Sequence, residues 1–109
     1  MAAIISLMSS PVRVTAATTQ DLRLSTNVLT FNELQLLLQV FEGSSVAVTI
    51  ITGTQTDTED GWVTLDTFTS TTAPSSTMKT FTSPLPYIRW KVTSSGNATL
   101  MVSGVGRTV

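Results

Sequence analysis

"ELQLLLQVFEGSSVAVTIIT", residues 33–52, is the stretch on which the fold turns. Apolar side chains at every second position mark a strand with one buried face. Leu34, Leu36, Leu38 and Val40 share such a face, while Glu33, Gln35 and Gln39 point away; Leu37 and Phe41 interrupt the polar side. The period of two resumes at Val46, Val48 and Ile50 after the tight turn Glu42-Gly43-Ser44-Ser45, so the stretch reads as a hairpin. A helix over 32–41 is the competing reading, because Leu and Gln are good helix formers. The short turn and the Val-rich segment that follow argue against it.

The alternation continues in both directions. Val12 and Val14 flank an outward Arg13, and Leu22 and Leu24 flank an outward Arg23, which makes two short strands or one broken one. On the other side, residues 52–61 form a polar loop ending in Gly61, "WVTLDTFTS" alternates again, residues 71–78 form a second loop, and "KTFTS" is a short strand. The last segment, "PLPYIRWKVTSSGNATLMVSG" at 84–104, reads as a second hairpin, with Ile88, Trp90 and Val92 on one face and Ala98, Leu100 and Val102 opposite them. Pro84 and Pro86 force an extended entry, so this strand starts at about Tyr87. Seven or eight short strands without an internal repeat predict an all-β chain, a single-domain antiparallel β-sandwich or jelly roll. Residues 11–109 form that domain, and residues 1–10 are an N-terminal arm or a first strand.

The 109 residues are enough for one core and too few for two. With no Cys and no His, thiol chemistry, structural zinc and imidazole acid–base catalysis are excluded. Charged residues are 12% of the chain and the net charge is −1, so solubility rests on 13 Ser and 21 Thr. Such a surface has no basic footprint for nucleic acid. "MAAIISLMSS" is apolar but short for a membrane span and lacks a basic leader region. A cleaved signal ending at Thr15-Ala16-Ala17 is the alternative to a strand or tail there. Asn97-Ala98-Thr99 fits a glycosylation triplet, but without export it is only a turn sequence.

Few side chains suggest chemistry. Asp57, Glu59 and Asp60 lie in one loop and are a weak calcium candidate, although their spacing does not match the helix–loop–helix pattern and a solvated acidic loop explains them as well. The seven acids single out no facing pair, no Ser has a recognisable base, and no phosphate loop appears, so no catalytic role and no cofactor are expected. Trp62, Tyr87 and Arg89 sit where aromatics at a sandwich rim could stack on sugars. The structural alternative has Trp62 plugging the end of the core, Trp90 inside it in phase with Ile88 and Val92, and Arg89 with Lys91 on a solvated outer face.

The order Val46 to Ile50, Asp60-Gly61-Trp62, Val63-Thr64-Leu65, Tyr87-Ile88-Arg89 and Gly96 to Val102 resembles the small β-sandwich domains of tailed-bacteriophage virion proteins, most of all head decoration or cement proteins. The resemblance spans about residues 33–104. It implies a homo-oligomer, a trimer by preference, that binds the major capsid protein on the outer head surface after assembly in the bacterial cytoplasm and stabilises the mature shell. It carries no implication of nucleic-acid or membrane binding. Ile4, Ile5, Leu7 and Met8 would then form an apolar arm over a neighbour, with Tyr87, Arg89 and Lys91 as further contacts. The same Asp-Gly-Trp and Tyr-Ile-Arg elements are similar to discoidin-like and other carbohydrate-binding jelly rolls, which would assign Trp62, Tyr87 and Arg89 to a glycan; here Trp62 follows Gly61 directly, where those modules usually keep several residues between. A tail or fibre attachment domain would use the same fold.

Overall fold

The computed structural model describes residues 2–109, folded as two antiparallel sheets face to face. Ten strands run in the order β1 (Ala2–Ser6), β2 (Val12–Val14), β3 (Thr18–Thr19), β4 (Thr26–Asn27), β5 (Glu33–Glu42), β6 (Ala47–Gly53), β7 (Val63–Thr67), β8 (Ser75–Thr82), β9 (Tyr87–Thr93) and β10 (Ala98–Arg107), with one 3₁₀ turn at Leu22–Leu24. The first sheet is ordered β1-β10-β5-β8, with β2 also on β10. The second is β3-β9-β6-β7, with β4 also on β9. The sandwich expected from the alternation is therefore present, with three of its strands only two or three residues long.

The period-two faces meet between the sheets. Leu34, Leu36 and Leu38 of β5, Val48 and Ile50 of β6, Ile88 and Val92 of β9, and Leu100 and Val102 of β10 are fully buried. Phe68 and Phe81 pack edge to face at 5.4 Å within the same core. Trp90 joins this core, at 7% exposed.

Neither expected hairpin forms. β5 pairs with β10 and β8 while β6 pairs with β7 and β9, so Gly43–Val46 carries the chain from one sheet to the other. Ser94–Asn97 likewise arches from β9 to β10 across the core. The two arches lie against each other: Ser95 donates to the Ser44 carbonyl through its N–H at 3.2 Å and its hydroxyl at 3.0 Å. Gly43, at φ +122°, is where they touch, and a Cβ there would stand 2.8 Å from the Ala98 Cβ. The ladder between consecutive long strands is β6–β7.

Two further expectations are corrected. Leu22–Leu24 is a 3₁₀ turn rather than a strand, capped by Asp21, whose Oδ1 accepts from the Arg23 N–H, and Leu24 is 67% exposed. β8 begins at Ser75, inside the segment read as a loop, because its Ser and Thr residues satisfy the β5 ladder while only Phe81 reaches the deep core. All six basic residues lie within elements: Arg13 in β2, Arg23 in the 3₁₀ turn, Lys79 in β8, Arg89 and Lys91 in β9, and Arg107 in β10.

On the β7–β8 side, Lys79 Nζ clasps the sheets by donating to the Thr67 carbonyl at 2.8 Å and lying 3.3 Å from Asp66 Oδ1. The Thr67 N–H first, and then Lys79, hold the Asp66 carboxyl below its usual 3.8. A lowered folded-state value favours the ionised form in the fold, so this stabilisation is present above 3.8 and disappears as pH falls through the lowered value. Asp66→Asn should therefore lower the melting temperature at neutral pH, and the gap to the parent should close in strong acid; a gap that persists there would refute the clasp as its source. Gly43→Ala should cost at least about 1 kcal/mol and more than Gly96→Ala, because both require positive φ but open space surrounds Gly96. Urea unfolding of the two variants checks the ranking.

Candidate functional site

The outer face of β9 presents Tyr87, Arg89 and Lys91 as the alternation requires, but the loop after β6 folds back over the middle of it. Arg89 is 2% exposed. Its Nε and Nη2 donate to the Gln20 carbonyl at 3.0 and 2.6 Å, and Nη1 and Nη2 donate to the two carboxylate oxygens of Glu59 at 2.8 and 3.1 Å. The guanidinium also lies 4.9 Å from the Trp62 ring centroid, a cation–π distance. Trp62 itself rests on the backbone of Gly53, where a Cβ would come within 2.7 Å of its ring. Its indole N–H is shared between the carbonyls of Gln55 and Thr58, both at 3.1 Å.

Trp62 and Arg89 are thus brought together, but they satisfy one another and the loop. Arg89 is not an outward contact for a partner or a glycan, because it is buried and its Nε, Nη1 and Nη2 all donate to Gln20 or Glu59. Trp62 does not plug the end of the core either; it covers the outside of the second sheet. Tyr87 is half-buried at the start of β9, and Lys91 is exposed. Glu59 faces Arg89, and among the described residues no three acidic groups converge as a metal site, so Asp57, Glu59 and Asp60 do not form a calcium cage.

Of the two readings of the N-terminus, an arm or a first strand, the structure has the strand. β1 pairs with β10 from Ala2 to Ser6, and the Met8 N–H donates to the Val102 carbonyl at 3.2 Å. Ile5, Leu7 and Met8 are core residues with no more than 6% of their surface exposed. They cannot form an apolar arm, because they fill the edge of the sandwich beside β10. Ile4 alone of the four points outward, 86% exposed.

Ile4 belongs to a feature that strand-by-strand reading does not reveal, the outer face of the first sheet. Ile4 stands opposite Val105 across β1–β10, and Leu37 stands opposite Met78 across β5–β8, with Ser103 of β10 beside Leu37. Met101 lies one step along β10. Met78 is 64% exposed, and Phe41, at the bulged end of β5, is 51% exposed. Charges occur only at the two ends of this face, and there they pair within the chain: Arg107 Nε with Glu33 at 3.2 Å, and Arg13 with Glu42 at 3.9 Å. Between them lies an apolar band bordered by Ser, Thr and Gln. The residues that spoil the polar side of 33–41, Leu37 and Phe41, were its signal in the sequence.

The geometry defines an antiparallel β-sandwich with a loop-covered second sheet and an uncovered apolar face on the first. No family model matches the chain, and no curated protein matches it. Among solved structures, it is similar to a chain in the structure of infectious bursal disease virus Gx strain, at 15% identity and a TM-score of 0.54, covering 96% of this chain and 31% of that one. The chain therefore spans about a third of the length of that viral chain. It also superposes on a chain from the disulfide-linked pili of Bacillus endospore appendages, at 16% identity and a TM-score of 0.49, covering 100% of this chain and 92% of that one. The first likeness is one of fold.

Arg89→Ala should destabilise the protein by about 3 kcal/mol, because it strips the donors from a buried carbonyl and the support from Trp62. Glu59→Gln should cost less than about 1 kcal/mol, since the Glu59 side chain is 68% exposed. Chemical denaturation of both variants tests this; equal, small losses would show that the buried guanidinium does not organise the loop.

Proposed function

We propose that the chain is a structural virion protein, a capsid decoration or cement protein that docks on the outer head surface of a tailed bacteriophage and reinforces the mature shell. The observation that carries this reading is the apolar band on the outer face of the first sheet, between the ion pairs at its two ends. Contiguous exposed apolar surface usually marks an interface. The fold likeness to a chain of a virus structure supports the reading.

The occupant of the face is the major capsid protein, and the size of the face suits the role. With strands about 4.8 Å apart and about 3.3 Å per residue, a face four strands wide and as long as the ten-residue β5 covers roughly 600 Å². That is less than the roughly 800 Å² each partner contributes to a standard stable interface. One copy binds weakly. A homotrimer engaging several capsid subunits at once multiplies such contacts into a firm hold. No cofactor takes part, and the action is mechanical.

Quantitative protein composition of purified particles tests the assignment. Copy number near that of the major capsid protein supports decoration, a handful of copies moves the protein to the tail or a fibre, and complete absence overturns the virion reading. Met78→Lys and Ile4→Lys should each leave the melting temperature nearly unchanged, since both side chains are already in water, while lowering particle occupancy severalfold.

A further inference from the structure

A cleft of about 340 Å³ opens on the side of the sandwich where the chain passes from β1 to the 3₁₀ turn. Its floor is apolar, made by Leu7, Met8 and Trp90, and its rim carries Ser9, Thr19 and Asp21. The opening exists because the edge of the second sheet is interrupted. β3 pairs with Val92 and Lys91, β4 pairs with Ile88 and Tyr87, and between them only Gln20 reaches β9. Trp90 sits at that interruption.

The two tryptophans differ in one respect. The indole N–H of Trp62 has two carbonyl acceptors. That of Trp90 has none among the described residues, although the side chain is more than nine-tenths buried. Nor is the nitrogen sealed off, since Arg107 Nε is the one fully enclosed side-chain nitrogen or oxygen there without a hydrogen bond. Trp90 is also one of the residues that line the cleft. A buried indole N–H normally finds a partner, and here the place for one is the cleft.

We infer that this cleft binds a neutral saccharide, one or two pyranose rings in size. The floor suits the C–H face of a sugar ring, the Trp90 N–H donates to a ring or hydroxyl oxygen, and the rim hydroxyls and Asp21 take up the remaining hydroxyl groups. Asp21 keeps one carboxylate oxygen for this, since the other accepts from the Arg23 N–H. The volume lies at the small end of the range for ligand sites, about 300–1,000 Å³. No cation lines the cleft and one carboxylate does, so phosphorylated and sulfated ligands are disfavoured. The inference does not depend on the virion reading, and it places sugar recognition away from Trp62 and Arg89, which are occupied with each other.

The test is an NMR titration of the whole chain with a panel of neutral methyl glycosides, the α and β anomers of glucose, galactose, mannose and N-acetylglucosamine. At least one should bind saturably with Kd on the order of 1–10 mM, shifting the Trp90 indole resonance and leaving that of Trp62 in place. Trp90→Phe removes the donor while keeping an aromatic floor, and should weaken binding about three- to tenfold. Ser9→Phe blocks the cleft from an exposed rim position that bears no core load, and should abolish it. Failure of every glycoside to bind the parent chain overturns the inference. So does binding that survives Ser9→Phe unchanged, or that moves the Trp62 resonance instead.

Discussion

A buried guanidinium holds the second sheet and its covering together. Removing a cation from water costs several kcal/mol unless it is fully paired, so Arg89 requires acceptors fixed around it. Gln20 supplies one as a carbonyl and is held by three further bonds: its N–H donates to the Trp90 carbonyl, its Oε1 accepts from the backbone N–H of Trp90, and its Nε2 donates to the Leu24 carbonyl. A single residue therefore closes the gap between β3 and β4. On the other side the same guanidinium anchors Glu59 and supports Trp62, which fixes a loop that otherwise has little apolar surface to bury. The edge of the sheet and its outer covering depend on one charge.

Much of the fold was legible because burial imposes a period of two on any strand with one wet face. Leu34 to Val40 and Ile88 to Val92 were placed on the correct faces by that rule alone. What the rule does not encode is which strand lies beside which. In a hairpin two successive apolar faces line one sheet, and in an arch they meet across the core; both give the same sequence of alternation. Gly43 and its contact with Ala98 separate the two cases, and that contact is between residues more than fifty positions apart. The Ser- and Thr-rich start of β8 looks like a loop in the sequence because its backbone is satisfied by β5 while its side chains reach little of the deep core.

The functional surface was legible only in fragments. The alternation puts Arg89 on the outer face of β9 but not in the solvated position expected of it, since nothing local says that a loop thirty residues upstream covers it. Ile5, Leu7 and Met8 looked like an unsatisfied apolar arm because their cover is β10, at the far end of the chain. The band on the first sheet is assembled from one or two residues in each of β1, β5, β8 and β10. Each looks like a minor fault in its own strand, and only the ladder register brings them together.

The location of the six basic residues within strands and the 3₁₀ turn has a consequence for chain cleavage. Proteases prefer exposed loop tips, where the backbone can be drawn into an extended conformation. In this chain every loop is free of Lys and Arg, so a protease that cuts after basic residues meets each of its sites inside hydrogen-bonded structure. Apart from Arg23, in the exposed 3₁₀ turn, these sites lie in sheet ladders, so at them the rate of digestion becomes a measure of opening rather than of loop accessibility. A surface built on hydroxyls instead of charges thus leaves, as a by-product, few accessible sites for trypsin-like enzymes.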